Sequence, residues 1–146
     1  MSMNPPPPSE APPGPQRHRA DAVGGRRHDA PPGSAAEARE RVRELLLLAG
    51  VSLDSVIAAD ALLVTSELVT NAIRHGYGVS AFQADIAGDV LRLTIADANP
   101  RLPAARTGTV EHPGGYGWPL IQRLAEHVDC RTRPDGKTIT TALRLS

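Results

Sequence analysis

Residues 61–76 constrain this chain more than any other stretch, because they set a carboxylate and a carboxamide four residues apart on the polar side of an amphipathic helix. At about 100° per residue, Ala61, Leu62, Thr65, Leu68, Val69, Ala72 and Ile73 form one broad, mostly apolar stripe that has to pack on a core. Glu67, Asn71 and Arg74 fall on the opposite side, and Glu67 and Asn71 are stacked one turn apart. An acid that accepts a proton and an amide oxygen that ligates a hard cation are therefore held together on a rigid element. Taken alone, the pair also fits an ordinary solvated helix face.

Two downstream features give it more weight. Ile95-Ala96-Asp97-Ala98-Asn99-Pro100 puts an acid at the end of an alternating apolar run, and Gly114-Gly115-Tyr116-Gly117-Trp118-Pro119 is a glycine cluster that opens a further helix. The order of helix with acid and amide, strand-end Asp, then glycine loop and helix resembles the GHKL (Bergerat) ATP-binding fold of gyrase and the histidine kinases. Within that superfamily, Glu67-Leu68-Val69-Thr70-Asn71-Ala72 followed by His75 looks most like the N-box of the small bacterial anti-sigma factor serine kinases. The resemblance covers residues 34–146.

A chain of 146 residues with 40% apolar side chains is one small domain with a real core. Its formal net charge of zero gives no electrostatic footprint for direct nucleic-acid binding. Lys137 is the only lysine, which reads as codon bias in a GC-rich genome and not as a binding device. The single cysteine, Cys130, rules out an intrachain disulfide and a cysteine-based zinc site; it is expected to be a small buried residue at a strand start. The apolar run Leu45 to Val51 is far shorter than the ~20 residues of a membrane span, and the N-terminal prolines and acids do not form a secretory signal. No membrane association and a cytoplasmic location are the expectations.

Nine of the fourteen prolines lie in residues 1–33, including Pro5-Pro6-Pro7-Pro8, with few large apolar side chains. Such a segment buries too little surface to offset its ordering entropy, so it is expected to be a disordered, partly polyproline II tail. Ser34 is the expected N-cap of a first helix, with Glu37 completing a capping box, Ala38, Val42, Leu45, Leu46 and Ala49 buried, and Gly50 as the stop. Leu47 and Leu48 leave that helix apolar on a second side, which fits either a protein interface or packing against two neighbours. Ser52 or Asp54 is expected to cap the second helix, which ends near Gly76. Strands are predicted at 79–87 and 90–96 around a Gly88-Asp89 turn, a third helix at 117–126, and closing strands at 128–133 and 137–145 around Pro134-Asp135-Gly136. The expected fold class is α+β: a two-layer sandwich with three helices on one face of a mostly antiparallel sheet.

The resemblance implies a bound ATP with Mg²⁺. It implies Asn71 as the metal ligand, Glu67 as general base, and Asp97 as acceptor for the adenine amino group. It also implies that Gly115 and Gly117 bring backbone close to phosphate, on a helix whose N-terminus favours anions. Asn99 and Arg101 stand where the family's first glycine box has two glycines, a departure that affects affinity and the lid, because arginine tolerates a left-handed backbone poorly. Arg106 is either a phosphate ligand or a solvated loop residue, and His75 either approaches the nucleotide or orients the helix end. Trp118 covers the nucleotide or plugs the core. The implied function is an ATP-dependent serine/threonine-protein kinase acting as an anti-sigma factor. Its implied partners are an anti-anti-sigma (STAS) protein, a sigma factor and a second copy in a homodimer. The alternative is a nucleotide-binding regulatory module without efficient catalysis.

Overall fold

The computed structural model describes residues 30–103 and 117–146; the expectation of a disordered tail over 1–33 therefore falls largely outside the described residues. Helix α1 spans Ala35–Leu48, α2 Val56–His75 and α3 Gly117–Leu124; the strands are β1 Val79–Ala87, β2 Val90–Asp97, β3 His127–Arg133 and β4 Gly136–Arg144. The strands form one sheet in the order β1-β2-β4-β3, and every described pairing is antiparallel. Helices laid against such a sheet make the expected α+β sandwich.

Local chemistry explains most boundaries. Ser34 Oγ accepts the Glu37 N–H at 3.1 Å, while the Glu37 carboxylate reaches back to the Gly33 N–H at 3.0 Å, one residue before the expected return bond. Gly50, at φ +79°, ends α1 with Gly50 N–H to Leu47 O and Val51 N–H to Leu46 O, the two bonds of a Schellman motif. The cap of α2 is Ser55, not Ser52 or Asp54: Ser55 Oγ accepts the Ala58 N–H, whereas Ser52 Oγ is taken by the Asp54 N–H. Gly88, at φ +63°, occupies the first central position of the β1–β2 turn, where a positive φ matches the strand twist.

The core is built from the inward faces of all three helices and the two central strands. Val42 and Leu46 from α1, Val64, Leu68 and Val69 from α2, and Ile121 from α3 meet Leu91, Leu93 and Ile95 of β2 and Ile139 and Leu143 of β4. Ala49 and Ile73, expected inside, are exposed, because α1 has already ended at Ala49 and Ile73 lies at the edge of the stripe. Helix α1 packs on α2 and touches β1, but Leu47 and Leu48, 58% and 75% exposed, lie outside that packing within the described residues. Cys130 sits in mid-strand and is only partly buried; burial pushes its thiol above the ordinary value, which disfavours the reactive thiolate. The third helix stops at Leu124, two residues early, and β3 begins at His127. By length and composition α2 is apolar enough to cross a membrane, yet much of its apolar side is buried in this core.

The β2–β4 register decides which side chains reach the end of the core. Leu91, Leu93, Ile95 and Asp97 face inward and pair with Leu143, Thr141, Ile139 and Lys137. Gly136 allows the final step of that register: a Cβ there would stand 2.1 Å from the Asp97 carbonyl oxygen, a backbone atom held in the sheet. Gly136→Ala is expected to lower stability by about 1–3 kcal/mol, the usual range for overpacking, as measured by urea denaturation. A loss under ~0.5 kcal/mol would mean that the strand ends separate at little cost.

Candidate functional site

The inward row of β2 and β4 ends at a cavity of about 410 Å³, within the usual size range of small-molecule sites. Its apolar wall is Leu68, Ala72, Ile95, Trp118 and Ile139, and its polar wall includes Asn71, His75, Asp97, Asn99 and Lys137. Four of the residues singled out in the sequence, Asn71, His75, Asp97 and Asn99, thus line one space. Trp118 packs against the core, the second of the roles considered for it, and also lines this space. Gly115 and Arg106 lie outside the described residues.

Glu67 is half-buried, one turn before Asn71, and does not line the cavity. It meets the start of α3 instead. A Cβ on Gly117 would stand 2.3 Å from Glu67 Oε1 and 3.5 Å from Asn71 Oδ1, so only glycine lets the helix begin this close to both side chains. The acid, the amide and the third helix therefore converge, as the glycine cluster suggested.

Asp97 is buried, and its carboxylate is ion-paired with Lys137, whose Nζ lies 3.0 Å from Oδ2 and donates to Oδ1 at 3.1 Å. The side chains of both residues are 6% exposed. Oδ1 also accepts the Asn99 N–H at 2.9 Å, and the Lys137 ammonium donates a second bond to the Asn99 carbonyl at 3.0 Å. Lys137 is the site residue that the sequence reading missed. The signal was present: Lys137, Ile139, Thr141 and Leu143 alternate at period two, which points the lysine to the same face as the core.

Asn99 ties this pair to α2. Its side-chain amide donates to the His75 carbonyl at 2.6 Å, its Oδ1 accepts the Arg101 N–H at 3.0 Å, and the Ala98 N–H donates to Gly76 O at 3.0 Å. Helix carbonyls that would otherwise lack partners are thereby satisfied. Gly76 permits the approach, since a Cβ there would lie 2.4 Å from Asp97 Cγ. Neither Asn99 nor Arg101 adopts a positive φ; among the described non-glycine residues only Tyr77 does, at φ 65°. The missing glycines of the first glycine box thus impose no left-handed strain here.

A magnesium-bound triphosphate sets the demand on this donor set. Among the described residues no group of three or more His, Cys, Asp or Glu could hold a metal ion, so no all-protein cage is present. A single amide oxygen from Asn71 is sufficient when phosphate oxygens and waters complete an octahedral Mg²⁺ shell. Asn71 lines the cavity, so it is placed to supply that oxygen.

The sequence matches the Histidine kinase-like ATPase domain family over residues 29–143, most of its length. The chain belongs to that family. Among solved structures it is similar to the "Histidine kinase domain from Erythrobacter litoralis EL346 blue-light activated histidine kinase", at 19% identity and a TM-score of 0.48. That similarity takes in 76% of this chain and 64% of the other, so the chain spans less than two thirds of that domain's length. No curated protein matches the sequence. Membership of a histidine kinase-like ATPase family supports an ATP-binding regulatory role for the chain.

Proposed function

We propose that this chain binds Mg²⁺-ATP and transfers its γ-phosphoryl group to a serine of an anti-anti-sigma (STAS) partner, and that it sequesters a sigma factor once that partner is phosphorylated. The observation that carries this reading is the convergence of Glu67, Asn71 and the α3 start at Gly117 beside a cavity ending in Asp97. When bound, Mg²⁺ would neutralise charge on the transferring phosphate, with Asn71 Oδ1 as its protein ligand. Glu67 would accept the proton of the incoming serine hydroxyl as the serine oxygen bonds to phosphorus and the bond to the ADP oxygen breaks. Asp97, which also lines the cavity, would accept from the base.

The exposed Leu47 and Leu48, with Val56 75% exposed at the start of α2, supply apolar surface suited to a second copy or to the sigma factor. The cytoplasm, where those partners reside, is the proposed location, without direct nucleic-acid or membrane contact. A second reading, a partner-binding module without efficient catalysis, is favoured by Glu67 lying outside the cavity lining.

One experiment separates the two readings. The purified chain is incubated with γ-labelled ATP, Mg²⁺ and candidate STAS proteins, and ATP affinity is measured by calorimetry. Labelled serine supports the kinase reading; tight ATP binding without transfer to any candidate supports the module. Gly117→Ala provides a sharper test. The atom that its Cβ would meet is the far end of a flexible side chain, and alanine gains about 0.5–1 kcal/mol over glycine in a helix, so the fold tolerates the change. The Glu67 carboxylate, however, must swing away. Phosphoryl transfer is expected to fall about 10²-fold, the effect of misplacing a reacting group by roughly 1 Å, at an unchanged melting temperature.

A further inference from the structure

The buried lysine has no place in the proposed chemistry, yet it lines the cavity beside the residue assigned to the base. An ammonium carries three N–H groups. Its hydrogen bonds to Asp97 Oδ1 and to the Asn99 carbonyl use two of them, and Oδ2 of the same carboxylate lies 3.0 Å from Nζ. These contacts hold Nζ at the end of the β2–β4 ladder, where Lys137, Ile95 and Ile139 all line the cavity. The cavity end therefore presents an acceptor and a donor side by side, the carboxylate of Asp97 and the ammonium of Lys137. A carboxylate alone recognises only donor groups. An acceptor next to a cationic donor matches an amino group next to a ring nitrogen, which is the N6–N1 edge of adenine.

We propose that Lys137 is a specificity-determining residue that donates a hydrogen bond to N1 of the adenine ring, while Asp97 accepts from the N6 amino group. This rests on the cavity binding ATP. Lys137 also holds Asp97 in its acceptor orientation, so the two residues read the base as one unit, and Asn99 fixes the ammonium through its carbonyl. The low exposure of both side chains makes the contact strong, because little water competes for it.

The probe is 1-deaza-ATP, which replaces N1 by a C–H group and keeps the amino group, the sugar and the phosphates. Wild-type protein is expected to bind ATP about ten-fold or more tightly than 1-deaza-ATP, the size of a hydrogen bond to a charged group. In Lys137→Met, and in the charge-neutral pair Asp97→Asn with Lys137→Met, that ratio should fall to about two-fold or less. A second readout needs no variant. Because Lys137 is the only lysine, labelling with ¹⁵N-lysine gives a single side-chain ammonium resonance. It should shift when ATP is added and much less with 1-deaza-ATP. Equal wild-type affinity for the two nucleotides, or an ammonium resonance indifferent to bound ATP, overturns the proposal and leaves the ATP site standing. Failure of wild type to bind Mg²⁺-ATP at all overturns the ATP site and this assignment with it.

Discussion

Lys137→Met is expected to lower the stability of the fold by about 3–5 kcal/mol, the usual cost of leaving one partner of a buried ion pair alone. The substitution preserves length and apolar stem but removes the ammonium that faces both Asp97 oxygens and the Asn99 carbonyl. Asp97 would then be a charge at 5% exposure whose one remaining described hydrogen-bond donor is the Asn99 N–H. Asp97→Asn in the same background should recover most of the loss, because a neutral amide needs no counter-ion and its oxygen can still accept from the Asn99 N–H. Urea denaturation of the single and double variants measures both values. A single variant within ~1 kcal/mol of wild type would show that the pair is replaceable by water and is not a structural lock.

The second large effect is kinetic. Glu67→Gln is expected to reduce phosphoryl transfer about 10²–10⁴-fold, the range for losing a positioned general base, while ATP affinity changes by less than about three-fold. The isosteric amide keeps the contact with Gly117 and removes only the ability to take a proton. A fall in rate at constant affinity is the signature of a group that acts in the transition state. Equal loss of affinity would instead make Glu67 a binding residue, and no loss of rate would remove it from the chemistry. Asn71→Ala should behave differently and weaken binding in a Mg²⁺-dependent manner, because Asn71 lines the cavity where the metal-bound triphosphate would lie.

Much of this architecture is legible in the residues because local signals agree with one another. The stripe from Ala61 to Ala72 has the right period, length and flanking turn for a core helix, and Leu91, Leu93 and Ile95 alternate as a half-covered strand does. Gly117 reads in the sequence as a point of close approach to phosphate, whereas the approach described here is to Glu67 and Asn71. The misses come where several residues compete for one role. Ser52, Asp54 and Ser55 are all competent caps, and only the chain path decides that Ser55 serves. Composition alone makes Lys137 a codon effect, because it says nothing about the direction in which a strand residue points. Asn99 looks like a defective glycine in the sequence, whereas its value lies in hydrogen bonds to residues 24 and 38 positions away. Contacts of that range depend on the register of β2 against β4 and on the end of α2 together, which no local pattern encodes.

The knot of bonds around Asn99 has a consequence for motion. The amides of Ala98 and Asn99 are closed by Gly76 and Asp97, and the last carbonyls of α2 are closed from the β2 end. Opening either amide bond unpairs an acceptor on a buried residue, Gly76 or Asp97. Deuterium uptake at these amides should therefore proceed at a common, slow rate, as one cooperative unit joining the helix terminus to the strand terminus.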